Sequence, residues 1–203
     1  MSKTVEFFFD VGSPSSYLAW TQLPKICADA GALLVYKPML LGGVYQATGN
    51  ASPATIPAKG RYTNLDYLRY AKRYGVPLVM NPHFPIITLH LMRVATGVLL
   101  RSPDRFQNFL ATTFKGLWID ALDLNQAELT SKMLADGGFP PAQVDALVND
   151  PEVKASLRAT TEEAVRRGVF GAPTTFVNDE MFFGQDRLDV LLWRLKQHGL
   201  KRR

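Results

Sequence analysis

The chain has 203 residues, 47% of them hydrophobic, which is enough for one domain, or a domain with a sizeable insertion, to bury a real core. The net charge is +5, but Lys201, Arg202 and Arg203 supply three of those charges and no basic stripe interleaved with aromatics occurs, so there is no case for nucleic acid and a small anionic ligand fits better. A single cysteine, Cys27, excludes an internal disulfide; no run is apolar and long enough for a membrane span; Met-Ser-Lys-Thr leads into a strand-like run rather than a signal peptide, and the expectation is a cytoplasmic protein with a solvated basic tail.

Val5 to Phe9 is apolar except for Glu6 and predicts a buried strand. A helix opens at Ser13-Pro14, with serine as N-cap and proline first. Leu18, Ala19, Leu23, Ile26 and Cys27 carry it to Ala30, Gly31 is its C-cap, and Pro24 is expected to kink it or cost a hydrogen bond. Leu33 to Lys37 predicts a second strand, parallel to the first across the crossover helix. Leu41 to Pro57, with Gly42-Gly43, Gly49-Asn50 and two prolines, predicts a loop.

Helical patterns then follow at Asn64–Tyr74, Ile86–Leu100, Pro103–Leu117, Asn125–Asp136 and Pro141–Val148, with no strand-like alternation between them. Asp150-Pro151 opens another helix, with Glu152 early and Arg166-Arg167 late, as the helix dipole favours. Thr174 to Val177 and Glu180 to Phe183 predict a hairpin about Asn178-Asp179, and Arg187 to Gln197 a closing amphipathic helix. The expected class is α/β: a discontinuous domain of residues 1–45 and 151–203, with an all-helical domain, 46–150, inserted in it.

The Ser13-Pro14 helix start aims a positive dipole end and a hydroxyl at whatever lies above the carboxyl end of the first strand. An anion or a thiolate is stabilised in such a place. Thiol–disulfide enzymes hold Cys-x-x-Cys there, whereas this chain has Ser13-Pro14-Ser15-Ser16. The thiol then has to arrive with a cofactor, and disulfide exchange is disfavoured. Read locally, Ser13 is a plain N-cap; a serine nucleophile lacks a Gly-x-Ser-x-Gly elbow and an activating histidine. His83, His90 and His198 share no metal-ligand spacing, so no metal is expected. His83 reads as a loop residue, His90 as structurally satisfied and Cys27 as an apolar filler. Tyr62, Asp66 and Arg69 suit a structural network on one helix.

Four segments carry a wider pattern: Phe7, Phe9, Asp10, Ser13, Pro14, Ser16 and Tyr17; Lys59, Tyr62 and Asp66 with Tyr74-Gly75-Val76-Pro77; Val169 to Phe176; and Phe183 to Leu188. In this order they resemble the kappa-class glutathione transferases and the 2-hydroxychromene-2-carboxylate isomerases, members of the thioredoxin-like superfamily. The resemblance implies a thioredoxin-like domain with an inserted helical domain, a homodimer, and glutathione as cofactor with its sulfur at Ser13. It implies a cis bond before Pro173 and pairing of the Ala172 backbone with the cysteinyl part. It places the γ-glutamyl group at Phe183-Gly184-Gln185-Asp186, with its carboxylate on the Gln185 and Asp186 N–H groups and its ammonium on the Asp186 carboxylate. It gives Asn50 and Lys59 to glutathione or an acidic substrate. Without the resemblance, these residues read as a loop proline, an N-cap and exposed loop positions.

The reaction implied is the glutathione-dependent interconversion of 2-hydroxychromene-2-carboxylate and trans-o-hydroxybenzylidenepyruvate, a step of aromatic-hydrocarbon breakdown. Reversible thiolate addition turns a fixed double bond into one that rotates. The rivals are a kappa-type transferase or peroxidase using the same site on another electrophile, and a silent thioredoxin-like binding protein.

Overall fold

The computed structural model describes residues 3–197; the basic tail and His198 lie outside the described residues. Strand β1 (Lys3–Phe9) is central in a four-stranded sheet of order β2-β1-β3-β4. It pairs in parallel with β2 (Ala32–Pro38), Lys3 opposite Ala32 and Phe9 opposite Pro38. On its other edge it runs antiparallel to β3 (Thr174–Val177), which pairs in turn with β4 (Glu180–Phe183). The central position explains the unbroken apolar run: Phe7 and Phe9 face one side of the sheet, Phe8 the other, and all three are fully buried. Asn178, at φ 57°, makes the tight turn of the β3–β4 hairpin.

Helix α1 (Pro14–Asp29) is the crossover between β1 and β2 and continues through Pro24. The loop expected from Leu41 to Pro57 is instead helix α2 (Leu41–Thr48), then a short 3-10 turn at Pro53–Thr55. Gly42 and Gly43 favour a loop by propensity, but tertiary contacts decide otherwise. The Leu40 N–H donates to Thr161 Oγ1 at 2.9 Å and the Leu41 N–H to Asp10 Oδ2 at 2.9 Å, which satisfies two free donors at the helix start. A Cβ on Gly43 would stand 3.2 Å from the Thr161 methyl, so glycine is what lets this helix approach so closely.

Helix α3 (Pro57–Tyr74) starts seven residues earlier than the pattern from Asn64 indicates, with Pro57 in its first turn. Helices α4 (Leu89–Arg101), α5 (Phe106–Trp118), α6 (Ala127–Asp136), α7 (Pro141–Asn149) and α8 (Pro151–Arg166) follow, and α9 (Leu188–Gln197) closes the described chain. The helix read from Ile86 begins at Leu89. Its first residues belong to an irregular segment held by Asn81, whose amide donates to Leu117 O at 3.0 Å and Leu122 O at 2.9 Å.

One buried cluster joins the Phe7–Phe9 face of the sheet to α1, α4 and α5 through Leu18, Val94, Phe106, Phe114 and Trp118. The other face packs Phe8 on Met39, Val44, Val169 and Phe176. Lys37 and Arg167 cover that face; Arg167 lies 3.8 Å from the Phe176 ring centroid and pairs with Glu6 at 2.7 Å. Among the described residues, no helix is long and apolar enough to cross a membrane, and no His, Cys, Asp and Glu cluster could hold a metal ion.

Candidate active site

The site is built on the turn between β1 and α1. Asp10 is almost wholly buried there and organises three segments. Its Oδ1 accepts from the Gly12 N–H at 2.9 Å, and its Oδ2 from the Leu41 N–H at 2.9 Å and the Thr88 hydroxyl at 3.1 Å. Burial pushes this carboxyl above its ordinary range, against the pull of those three donors. Ser13, in extended conformation, caps α1: its Oγ accepts from the Ser16 N–H at 3.1 Å. The same hydroxyl donates to Ala172 O at 3.0 Å, across 159 residues of chain. The Ala172–Pro173 bond is cis, and Ala172 faces the Ser13 turn as expected.

Above Ser13 and Ala172 opens a cavity of about 510 Å³. Its walls come from four places. Helix α2 presents Leu41 and Tyr45; α3 presents Lys59, Thr63 and Tyr67, one face at successive i, i+4 steps. Met80, Phe84 and Trp118 close the apolar side, and Phe170 and Phe183, with ring centroids 4.5 Å apart, stand beside Ala172. Trp118 is fixed by its Nε1–H, which donates to Val11 O at 2.9 Å.

Of the residues singled out in the sequence, Ser13, Asn50, Lys59, Ala172 and Phe183 line this cavity. Asn50 uses its amide N–H on Phe170 O at 2.7 Å, tying the loop after α2 to the segment before Pro173. Lys59 is exposed at the rim, and no carboxylate among the described residues pairs with it. Pro173, Gly184, Gln185 and Asp186 lie next to the cavity without lining it. Pro173 O accepts from the Gly184 N–H at 2.9 Å. Gln185 is buried: its side-chain oxygen accepts from the Ser15 hydroxyl, and its N–H points at Ser15 Oγ, 3.4 Å away. That N–H is thus spent inside the protein in this structure, where the sequence reading turns it to an anion. The Asp186 carboxylate pairs with Arg187 at 2.6 Å.

Two further residues of the wall, Tyr45 and Tyr67, carry no motif in the sequence. Burial holds both phenols protonated, Tyr67 pushed up to about 12, so both are neutral hydrogen-bond donors at working pH. The spacing Lys59-Thr63-Tyr67 is the signal that would have found Tyr67. His83 stays outside the cavity, with Nδ1 3.7 Å from Asp123. His90 is exposed on α4 rather than structurally satisfied. Cys27 is the buried filler expected, its thiol pushed up to about 11 by burial. Tyr62, Asp66 and Arg69 form a surface network, Arg69 3.4 Å from Asp66 and 5.9 Å from the Tyr62 ring.

A family model for the DsbA-like thioredoxin domain matches residues 4–196. The chain belongs to the DsbA-like thioredoxin family. Within that family it is 31% identical over 196 residues to a 2-hydroxychromene-2-carboxylate isomerase of Sphingobium xenophagum, covering 94% of this chain and 97% of the relative. It is 28% identical over 205 residues to glutathione S-transferase kappa 1 of Rattus norvegicus, covering 95% and 91%. A solved 2-hydroxychromene-2-carboxylate isomerase superposes with a TM-score of 0.81 at 26% identity, over 97% of both chains. A probable DsbA oxidoreductase from Streptomyces coelicolor superposes at 0.74 with 19% identity, over 99% and 92%, a likeness of fold alone. In this chain the turn that opens α1 reads Ser13-Pro14-Ser15-Ser16, with no cysteine.

Proposed function

We propose that the chain is a glutathione-dependent isomerase that interconverts 2-hydroxychromene-2-carboxylate and trans-o-hydroxybenzylidenepyruvate. One observation carries the reading. A serine hydroxyl, 3.0 Å from Ala172 O at the foot of a cavity of about 510 Å³, stands at a helix start, a place where a thiolate is stabilised, with no cysteine in the turn. The donor set fits a peptide thiol. The α1 N-terminus and Ser13 suit the sulfur, and the backbone of Ala172 suits the peptide part.

Glutathione, when bound, supplies the nucleophile whose reversible addition frees a conjugated double bond to rotate. The chain supplies placement and charge. Ser13 Oγ already accepts from Ser16 N–H, so its own proton is the one available to a sulfur anion in place of Ala172 O. Lys59 attracts the carboxylate of the substrate. Tyr45 and Tyr67 keep their protons and can donate to an oxygen on which negative charge develops. Asn50 acts on the cavity wall, through Phe170, while Trp118, Met80 and Phe84 keep water from the apolar side.

The test is a thermal-shift titration with reduced glutathione, followed by an isomerase assay on the chromene acid. Saturable stabilisation and strictly thiol-dependent turnover are expected; full turnover of rigorously thiol-free protein overturns the reading. The 28% identity to kappa-class relatives favours a transferase as second reading. Conjugation of an aryl halide without isomerase turnover would establish that one instead.

A further inference from the structure

Helix α2 has a second open side. Leu41 and Tyr45 face the candidate active site, whereas Gly43, Gln46 and Ala47, about half a turn round the helix, line another cavity of about 720 Å³. Helices α4 and α8 complete it. Its floor is apolar, made by Leu40, Leu89, Leu157 and Val165, with Leu157 almost fully buried. Its rim is cationic: Arg93 from α4, and Lys154, Arg158 and Arg166 from α8.

The charge on this rim is not balanced from within. Glu162 is the carboxylate lining the groove, and Arg158 already takes it at 2.8 Å. No carboxylate among the described residues lies within ion-pair distance of Arg93, Lys154 or Arg166, whereas Lys25 and Lys132, elsewhere on helix surfaces, pair with an acid four residues on. The periodicity of α8 makes the pattern. Leu157, Thr161 and Val165 form one stripe that looks into the groove, and Lys154, Arg158, Glu162 and Arg166 form the neighbouring stripe along its lip. The groove is also firmly framed: Thr161 accepts from the Leu40 N–H at 2.9 Å and packs against Gly43.

An apolar trough bordered by unpaired cations matches one kind of ligand, a molecule with an apolar body and one acidic end. A cavity of this size lies in the range of small-molecule sites. We infer that the groove between α2, α4 and α8 is a second ligand site, which binds an amphipathic monocarboxylate with its apolar body on Leu40, Leu157 and Val165 and its carboxylate on the cationic rim to which Arg93 and Arg166 contribute. The inference is independent of the glutathione reading, because no residue of this groove lines the other cavity.

Calorimetric titration of the whole protein with decanoate, with decanol as the uncharged probe, tests it. Light scattering fixes the oligomeric state under the same conditions. Decanoate is expected to bind at one site per chain, at least about 10-fold more tightly than decanol, the difference a charge-assisted contact makes. Arg93→Gln with Arg166→Gln should remove that advantage. Ala47→Phe, which fills the trough, should abolish binding and leave the thermal shift with glutathione unchanged. Equal affinity for the two probes overturns the inference, as does an unchanged affinity in the double variant. So does one-for-one displacement of decanoate by glutathione, which would place it in the other cavity. Absence of decanoate binding overturns it too, including where self-association covers the groove.

Discussion

Replacing Ser13 by alanine separates the two tasks assigned to its hydroxyl. Within the fold that oxygen makes two hydrogen bonds, the cap from Ser16 N–H and the donation to Ala172 O. Losing an N-cap costs about 1 kcal/mol, and an ordinary hydrogen bond is worth about 1 kcal/mol. The variant should therefore lose about 2 kcal/mol, a drop in Tm of about 4–8 °C for a chain of this size. The chemical task has a different signature. A hydrogen bond to a charged group contributes about 1.5–3 kcal/mol, so removing it should raise the pKa of bound glutathione by about 1–2 units. The sign follows from the anion being the partner: without the donor the protonated thiol is favoured. Turnover near neutral pH should fall about 10–100-fold, and the deficit should narrow as pH rises and both proteins reach full thiolate. Thiolate absorbance of the bound tripeptide, titrated against pH, measures the shift directly. A lower Tm with an unchanged thiol pKa would reduce Ser13 to a helix cap and refute the assignment.

Asn50→Ala removes the 2.7 Å bond to Phe170 O and should cost about 1 kcal/mol. Steady-state kinetics should show KM for glutathione rising more than kcat falls, since the wall moves and the base of the site does not; a pure kcat effect would contradict this. Glu163 is partly buried, which opposes its charge, but hydrogen bonds and attraction from Lys37 and Arg167 outweigh that and hold it below the ordinary carboxylate range. Its contribution is therefore full above the unfolded value of 4.5 and is lost as pH falls through the lowered folded value. Urea denaturation should show Glu163→Gln about 1 kcal/mol less stable than the parent at neutral pH, with the gap closing in acid; a gap constant with pH would mean the carboxylate charge is idle. Cys27, 2% exposed with its thiol pushed up to about 11, should resist iodoacetamide in the native protein at pH 8 and react on unfolding. Rapid native labelling would count against its burial and against an external source for the catalytic thiol.

The elements around the sheet were legible because local and global preferences agree there. The apolar run Val5 to Phe9 suits a strand buried on both faces, and Ser13-Pro14 is a helix start in any context. The four-segment motif also pointed to the Ser13–Ala172 meeting that the structure contains. Helix α2 was hidden because its glycines weaken a helix locally; its formation depends on donors satisfied by Asp10 and Thr161, residues about 31 and 121 positions away. Asn50 was legible as a site position, but its bond to Phe170 O was not, because side-chain partners 120 residues apart leave no local pattern.

Local sequence thus determined which residues cap, turn and alternate, since those preferences act over a few bonds. Only tertiary structure decided which faces meet. It turned Gln185 inward to Ser15, brought Tyr45, Tyr67 and Trp118 around one cavity, and left Arg93 and the α8 cations facing a second. Those outcomes follow from packing and charge balance across the whole chain, where the identity of a distant neighbour decides whether a polar group is paired, buried or free to bind.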